Sequence, residues 1–237
     1  MTIMLTAVTK KMKRKRMINK KLKKVAIIDY NAGNLFSVQH ACSFIGLDSK
    51  ITSNKKEILD ADGAILPGVG AFGEAMDNLQ KMGLIEPIKE FVASGKPFMG
   101  VCLGLQLLFS ESEEFGLHKG LDLVKGRVIK FPAANNEGRI IKVPQIGWNQ
   151  VVPPSNNQTR WDNSPLSNTV QGEFMYFVHS FFVKPTEPED ILSLTNYEGI
   201  EYCSSIQKNN IFATQFHPEK SAEEGIKIYQ NWAKAIK

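Results

Sequence analysis

Long apolar runs and cysteines are both scarce in this 237-residue chain. The longest apolar stretch, residues 98–109, is interrupted by Gln106 and falls short of the roughly 18 residues that a membrane span needs. We therefore exclude a membrane protein. The cysteines are Cys42, Cys102 and Cys203. They form no C-x-x-C pair, which argues against a disulfide framework and a zinc knuckle and favours a reducing cytoplasm.

Basic residues are outnumbered by acidic ones once the first 24 positions are set aside. Those positions contain ten of the 29 basic residues and no acidic residue, which leaves 19 basic against 24 acidic residues and a net charge of −5 instead of +5. The ten are Lys10, Lys11, Lys13, Arg14, Lys15, Arg16, Lys20, Lys21, Lys23 and Lys24. We interpret residues 1–23 as a disordered leader, a tag or a misplaced start. A nucleic-acid-binding arm is the alternative, although the acidic remainder offers no second basic surface.

Short apolar runs alternate with amphipathic stretches in the first half of the chain. The predicted strands are residues 25–28, 48–52, 61–66 and 98–101. The predicted helices are residues 34–45, 72–80, 84–94 and 103–109, the first capped by Asn34 and stopped by Gly46. This alternation predicts a parallel sheet that is covered by helices on both faces.

Strands dominate the prediction after residue 120. We expect them at residues 124–131, 140–143, 174–183, 191–195, 201–207 and 211–215, followed by a helix over residues 221–235. Residues 153–168 are rich in Pro, Asn and Ser and are expected to form an exposed excursion. The chain is therefore predicted to be one α/β domain with a β-rich second half.

The strongest local motif is Gly100-Val-Cys102-Leu-Gly104, between a predicted strand and a predicted helix. It is the thiol version of G-x-S-x-G, in which a tight turn exposes the nucleophile and the flanking positions must stay small. A helix N-terminus also favours the thiolate form of Cys102. A buried structural cysteine is the alternative, but the two glycines favour a nucleophile.

A thiol nucleophile needs a base, and four histidines are available: His40, His118, His179 and His217. We expect His40 to be a surface or packing residue of the first helix, His118 to lie in a loop, and His179 to lie on a strand. His217 follows a predicted strand and precedes Glu219, which can accept a hydrogen bond from the imidazole and orient it. Cys102, His217 and Glu219 thus predict a nucleophile, a base and an orienting acid.

Acyl transfer also needs donors for a developing oxyanion. The backbone N–H of Leu103, directly after the nucleophile, is one candidate. The loop Pro67-Gly-Val-Gly70 follows a predicted parallel strand at its carboxyl edge, where such sheets bind ligands. It can supply a second N–H, although a plain strand-ending turn is the alternative.

Three segments together resemble a class I, triad-type glutamine amidotransferase: Leu66-Pro-Gly-Val-Gly-Ala-Phe-Gly73, Gly100-Val-Cys-Leu-Gly-Leu-Gln106 and Gln215-Phe-His-Pro-Glu-Lys-Ser221. Three more are similar to the glutaminase subunit of imidazole glycerol phosphate synthase: Asp29-Tyr-Asn-Ala-Gly-Asn34, Pro144-Gln-Ile-Gly-Trp-Asn149 and Tyr176-Phe-Val-His-Ser180. The resemblance implies an amidotransferase domain over residues 24–237. Its expected fold is a flavodoxin-like α/β three-layer sandwich, with a mostly parallel central sheet and a β-rich second half.

The resemblance also implies the roles of the site residues. Cys102 would attack the side-chain amide of L-glutamine, while His217 transfers protons and Glu219 orients it. Gly68, Val69 and Leu103 would form the oxyanion hole. The Gly68–Val69 peptide would have to flip to complete it, a requirement that would keep the isolated subunit nearly silent and couple turnover to the partner. The implied substrate contacts are Gln106, Glu114, His179, Ser180 and Phe181, with Glu114 binding the α-ammonium group. No cofactor or metal is required.

The resemblance further implies a heterodimer with a (β/α)₈-barrel synthase of histidine biosynthesis, which receives the ammonia. The expected interface residues are Asn34, Pro144, Gln145, Trp148 and Tyr176. Gln145 departs from the histidine common in the family, which suggests altered partner recognition, and Phe181 stands where an aromatic residue or tyrosine is usual. Two alternatives stay open: the same glutaminase serving a sugar amidotransferase in surface-polysaccharide synthesis, and a binding protein that kept the fold without the chemistry.

Overall fold

Helices and parallel strands alternate in the first half of the chain, and antiparallel strands dominate the second. The computed structural model describes residues 22–155 and 158–237. The strands are β1 (Lys24–Ile28), β2 (Asp48–Thr52), β3 (Gly63–Gly68), β4 (Phe98–Cys102), β5 (Phe109–Ser112), β6 (His118–Lys119), β7 (Val124–Lys130), β8 (Gln145–Val151), β9 (Glu173–His179), β10 (Phe181–Pro185), β11 (Ile191–Tyr197), β12 (Ile200–Lys208) and β13 (Ile211–Thr214). The helices are α1 (Leu35–Phe44), α2 (Lys55–Asp60), α3 (Phe72–Lys81), α4 (Ile85–Ala93), α5 (Leu103–Leu107) and α6 (Ala222–Lys234). Short 3₁₀ helices lie at Gln158–Trp161, Pro188–Asp190 and Pro218–Lys220.

The predicted leader lies almost entirely outside the described residues, which begin at position 22. Lys23, its last residue, lies against the far end of the chain. The Nζ atom of Lys23 donates to the carbonyl oxygens of Ala233, at 2.9 Å, and Ile236. Lys23 therefore makes tertiary contacts although it lies one residue before the predicted start of the domain.

Eleven of the described strands form one sheet, in the order β2-β1-β3-β4-β13-β12-β10-β7-β5-β6, with β11 paired to β12. The run from β2 to β13 is parallel, whereas β12, β10 and β11 add antiparallel pairs. A separate antiparallel sheet consists of β8 and β9.

Successive residues of β1 supply two hydrophobic cores. Ala26 and Ile28 belong to the core that includes buried residues of α2 to α5. Val25 and Ile27 belong to the other, which includes buried residues of α1 and α6. A strand that is buried on both faces has no polar alternation, which explains the continuous apolar run of β1. The predicted three-layer α/β fold is confirmed.

A single glycine terminates α1. Gly46 has a φ of +81° and lies just beyond the C-cap residue Ile45, where a left-handed conformation ends a helix. Asn34 occupies the N-cap position, but its side chain makes no capping hydrogen bond, so the predicted cap contact is wrong.

The predicted strand over residues 174–183 is two strands that belong to different sheets. β9 pairs with β8, and β10 pairs with β7 in the main sheet. Ser180 lies at the break between them. The apolar run continues across the break because both strands bury residues, so hydrophobicity alone does not reveal it.

The predicted strand over residues 140–143 is wrong. Ile140 makes only an isolated bridge to Ala134, and its side chain is 88% exposed. The strand in this region is β8, which begins at Gln145.

The predicted exposed excursion over residues 153–168 is anchored to the core. Trp161 and Leu166 are buried, and the Trp161 indole N–H donates to the carbonyl oxygen of Leu192 at 2.7 Å. The Pro, Asn and Ser content indicated the turns, while the Trp161 side chain attaches the segment to β11.

The last strand, β13, occupies the centre of the main sheet. It runs parallel to β4, with Thr214 opposite Val101, and antiparallel to β12, with Thr214 opposite Ser205. The residues that follow β13 therefore emerge beside the carboxyl end of β4.

Candidate active site

Cys102 occupies the turn between β4 and α5 with a φ of +55°, a conformation that non-glycine residues rarely adopt. Glycines are required on both sides of it. A Cβ atom on Gly104 would lie 1.8 Å from the carbonyl oxygen of Leu66, and one on Gly100 would lie 2.9 Å from the carbonyl oxygen of Gly104. The motif therefore holds the thiol on a strained, tightly packed turn.

His217 and Glu219 follow β13 and form a buried pair. The Nδ1 atom of His217 lies 2.8 Å from Oε1 of Glu219, and the two side chains are 2% and 1% exposed. The backbone is fixed as well, because His217 N–H donates to the carbonyl oxygen of Tyr176 at 2.9 Å. Nε2 of His217 is buried without a hydrogen bond of acceptable geometry to any described residue, although the ring interacts electrostatically with Cys102.

The neighbouring side chains keep His217 protonated. Burial by itself lowers the pKa of this histidine, but the charge and hydrogen-bonding capacity of Cys102, followed by those of Glu219, outweigh burial and raise the pKa to about 10. An imidazolium beside a thiol stabilises the thiolate, which is the nucleophilic form of cysteine.

The loop after β3 lies against the Cys102 turn. Gly68 stands opposite Cys102 in the β3–β4 register. A Cβ atom on Gly68 would lie 2.3 Å from the Tyr30 hydroxyl and 2.9 Å from the Leu103 Cβ. Val69 follows with a 42% exposed side chain, and the Tyr30 hydroxyl donates to the carbonyl oxygen of Pro67 at 2.7 Å. The predicted oxyanion residues thus adjoin the nucleophile.

A cavity of about 320 Å³ opens beside Cys102. Its lining includes every predicted substrate contact: Gln106, Glu114, His179, Ser180 and Phe181. Val69, Leu103 and Pro144 complete much of the remaining wall. A larger cavity of about 540 Å³, lined by Pro97, Ile211 and several Asn and Ser residues, lies at the amino ends of β4 and β13, far from the triad.

The sequence and the fold both match known proteins. Residues 26–235 match the family Glutamine amidotransferase class-I. The chain belongs to this family. It is 44% identical over 210 residues to the imidazole glycerol phosphate synthase subunit HisH of Geobacter metallireducens. This alignment covers 88% of this chain and 97% of the relative. It is 43% identical over 208 residues to subunit HisH 1 of Legionella pneumophila strain Paris, with the same coverage.

Two solved structures share the fold of this amidotransferase. A putative GMP synthase protein from Thermoplasma acidophilum aligns with a TM-score of 0.65 and 18% identity, covering 92% of this chain and 96% of that one. The structure of PurLQS from Thermotoga maritima aligns with a TM-score of 0.64 and 19% identity, covering 92% of this chain and all of that one. At these identities the likeness supports the fold alone.

Glu114 is tied to the first turn of α3 in the amidotransferase. Its Oε2 atom accepts a hydrogen bond from the backbone N–H of Phe72 at 2.6 Å. A carboxylate at a helix N-terminus is stabilised by the free N–H groups and the helix dipole. This contact fixes the carboxylate at the edge of the cavity.

His179 is a neutral, structural member of the cavity wall. Its Nδ1 lies 2.8 Å from the carbonyl oxygen of Phe181, and its Nε2 lies 3.2 Å from the hydroxyl of Tyr202. Because a carbonyl only accepts, Nδ1 carries the proton. Burial lowers the pKa of His179 to about 4, with a further contribution from the nearby His217. His179 is therefore no candidate for the general base.

We expect His179 to make the fold sensitive to acid. Its pKa is about 4 in the folded chain and about 6.5 in the unfolded chain. Between these two pH values the folded state binds fewer protons than the unfolded state. The contribution of His179 to the free energy of unfolding is therefore fully present above about pH 6.5 and decreases as the pH drops toward 4. Between pH 7 and pH 4 the free energy of unfolding of the wild type should fall by roughly 3 kcal/mol more than that of His179→Gln. Denaturant unfolding at each pH measures this difference.

His217 does not confound this comparison. Because the pKa of His217 is raised, its contribution to the free energy of unfolding is fully present below about pH 6.5 and is lost only as the pH rises toward 10. The carboxylates of the chain contribute equally to the pH dependence of the wild type and of His179→Gln. Parallel pH curves for wild type and His179→Gln would contradict the prediction.

The predicted interface residues divide into exposed and buried groups. Trp148 is 52% exposed and stands opposite Tyr176 in the β8–β9 register, with ring centroids 6.1 Å apart. The Tyr176 ring in turn lies 6.5 Å from that of His217. Asn34 is half-buried and Pro144 lines the cavity. An aromatic path thus connects the surface with the triad.

Gln145 is not a surface residue of this chain. It is 2% exposed, and its side-chain amide lies 2.9 Å from the Tyr202 hydroxyl. Direct contact with a partner is therefore not available to its side chain in this arrangement.

Sequence reasoning missed three polar residues of this centre: Tyr30, Tyr202 and Gln215. Gln215 is the first residue of the segment Gln215–Ser221, and this motif predicts no role for its side chain. Its side-chain Nε2 lies 3.7 Å from Sγ of Cys102. Its position two residues before His217 was the available clue.

Proposed function

We propose that this chain is the glutaminase subunit of an imidazole glycerol phosphate synthase. It hydrolyses L-glutamine and supplies the ammonia with which the synthase subunit makes imidazole glycerol phosphate and the purine precursor AICAR in histidine biosynthesis. The observation that carries the proposal is the junction of the strained Cys102 turn, the buried His217–Glu219 pair and a substrate-sized cavity. Similarity to two HisH subunits over 97% of their length supports the pathway.

The reaction uses the triad twice. The Cys102 thiolate attacks the amide carbon of glutamine, and the carbonyl oxygen becomes an oxyanion beside Gly68, Val69 and Leu103. The C–N bond then breaks as His217 gives its proton to the nitrogen, so ammonia leaves and a γ-glutamyl thioester remains. Neutral His217 next takes a proton from water, the resulting hydroxide attacks the thioester, and glutamate leaves as the thiolate is restored. Glu219 orients the His217 ring throughout and stabilises the imidazolium whenever it forms.

Glu114 recognises the α-ammonium group of glutamine in this proposal. Glu114→Gln keeps an oxygen that can accept from Phe72 N–H but removes the charge. We expect KM for glutamine to rise about 10- to 100-fold, the usual effect of losing a hydrogen bond to a charged group, with little change in kcat. Steady-state ammonia release in the synthase complex measures both constants.

Glu113→Gln provides the matched control for Glu114→Gln. Glu113 is exposed, and its carboxylate accepts from Lys130 N–H at 2.8 Å instead of facing the cavity. Its KM should stay within about twofold of wild type. An unchanged KM for Glu114→Gln would remove Glu114 from the substrate site.

The partner is a (β/α)₈-barrel synthase that docks over Asn34, Pro144, Trp148 and Tyr176. Docking there covers the mouth of the cavity and directs ammonia into the barrel. No helix of the described residues is long and apolar enough to span a membrane. The three cysteines are free thiols, which supports a cytoplasmic location.

Ammonia release from glutamine tests the proposal. The chain is assayed alone, with the histidine-pathway cyclase, and with that cyclase plus its ribonucleotide ligand. We expect little release alone and a large increase in the liganded complex. Glutamine analogues that alkylate Cys102 while the cyclase produces no increase would contradict the histidine pathway and favour a sugar amidotransferase as the acceptor.

A further inference from the structure

We propose that Gln215 is a fourth residue of the catalytic centre, which donates a side-chain N–H to the Cys102 sulfur and stabilises it as the thiolate. The inference rests on the proposed role of Cys102 as nucleophile. Gln215 is fully buried, and its Nε2 lies 3.7 Å from Sγ, within the range of an N–H···S hydrogen bond. It approaches the sulfur from β13, the strand that also leads to His217.

A chain of hydrogen bonds determines the orientation of the Gln215 amide. The carbonyl oxygen of Phe181 can only accept, and it lies 2.9 Å from Nε2 of Gln106. The same Nε2 lies 3.0 Å from Oε1 of Gln215. Because Gln106 presents its NH₂ group to both oxygens, Gln215 must present its oxygen to Gln106 and its own NH₂ group to Cys102.

The Gln215 backbone is held on the other side. Its N–H donates to the carbonyl oxygen of Ser204 on β12 at 2.8 Å. The neighbouring Thr214 hydroxyl donates to the carbonyl oxygen of Phe216 at 2.9 Å, which fixes the bend after β13. Backbone and side chain together leave the amide little freedom, as preorganised stabilisation of a charge requires.

A neutral donor suits this position chemically. A hydrogen bond to an ionised sulfur is stronger than one to a thiol, so Gln215 favours the reactive form without supplying or removing a proton. His217 remains the group that transfers protons. In the thioester the sulfur carries no charge, so the contribution of Gln215 falls there and returns when hydrolysis of the thioester restores the thiolate.

The test compares Gln215→Glu with Gln207→Glu in the full chain. Gln215→Glu keeps the oxygen that accepts from Gln106 but loses the N–H toward sulfur. Gln207→Glu makes the same change on β12, beside the distant cavity. The rate of Cys102 alkylation by iodoacetamide is followed against pH by mass spectrometry, and kcat and KM for glutamine are measured in the synthase complex.

We expect Gln215→Glu to reduce alkylation near pH 8 by about 10- to 100-fold and to move the midpoint of its pH profile upward. The kcat should fall by a similar factor with KM within about twofold, because Gln215 contacts the nucleophile and not the substrate. Gln207→Glu should match wild type. An unshifted alkylation profile, or a raised KM with unchanged kcat, would overturn the proposal.

Two further experiments keep the proposal testable if Gln215→Glu fails to fold. Gln215→Met removes the donor without the carboxylate charge that itself opposes a thiolate, so an upward shift of its alkylation midpoint reports the lost N–H alone. In the wild-type chain labelled with ¹⁵N, the side-chain NH₂ resonances of Gln215 should move as Cys102 ionises and should not move in Cys102→Ala. Resonances indifferent to Cys102 would refute the contact. Alkylation and NMR need no glutamine turnover, so absent ammonia release would defeat the proposed function without deciding the role of Gln215.

Discussion

Replacement of Cys102 by serine should reduce partner-stimulated ammonia release by at least about four orders of magnitude. Removal of a nucleophile from a triad costs about 10⁴- to 10⁶-fold because the remaining members act only together with it. The alcohol cannot replace the thiol here, because a serine hydroxyl is far harder to ionise beside His217. Ammonia release in the complex, measured against the uncatalysed rate, gives the size of the loss.

Cys42→Ala is the matched control for this experiment. Cys42 is fully buried on α1, and burial raises the pKa of its thiol to about 12, so it is inert at neutral pH. Its loss should leave kcat unchanged. Substantial activity in Cys102→Ser, with Cys42→Ala behaving as wild type, would mean that another group attacks glutamine.

Gly104→Ala should destabilise the fold by roughly 3 kcal/mol or more. The added methyl carbon would lie 1.8 Å from the carbonyl oxygen of Leu66, a backbone atom that cannot rotate away. Overpacking of a well-packed region costs about 1–3 kcal/mol, and a forced backbone shift adds to it. Guanidinium unfolding of the chain measures the loss of free energy.

Gly138→Ala separates this clash from the general cost of replacing glycine. Gly138 lies in an exposed loop with a φ of +79°, and a methyl group added there would have no other atom within 4 Å. Its substitution carries only the backbone strain of about 1 kcal/mol. Equal losses for the two variants would show that α5 can move away from β3, and that the Cys102 turn is less rigid than its packing indicates.

Local chemistry predicted the parts of the fold where one residue decides the conformation. β2 was placed at its observed bounds, and Gly46 marked the end of α1. The glycines around Cys102 indicated a strand-to-helix turn because no other residue fits there. These features depend on neighbours in sequence.

Features that depend on distant partners could not be predicted in the same way. The strand break at Ser180 arises because β9 and β10 join different sheets, and no local pattern encodes that choice. The three apolar residues Ile140, Ile141 and Val143 satisfied strand propensity, yet the side chain of Ile140 is exposed. Tertiary context overrides propensity at both places.

The candidate site shows the same division. The residues proposed as nucleophile, base and oxyanion loop were recognisable in the sequence from their glycines and from a short His-Pro-Glu segment. The neutral state of His179 depends on burial beneath Tyr202, and the role of Gln215 depends on Gln106, 109 residues away in sequence. Contacts between polar groups that lie so far apart in sequence are visible only in the folded chain.

The position of β13 also sets the timing of activity during protein synthesis. Cys102 precedes Gln215 by 113 residues, and β13 must enter between β4 and β12 before the base can meet the thiol. A ribosome adding about 5–20 residues per second needs roughly 5–20 s to cover that distance. In a nascent chain the Cys102 thiol therefore has no base beside it. Glutamine is not hydrolysed until nearly the whole domain has been translated.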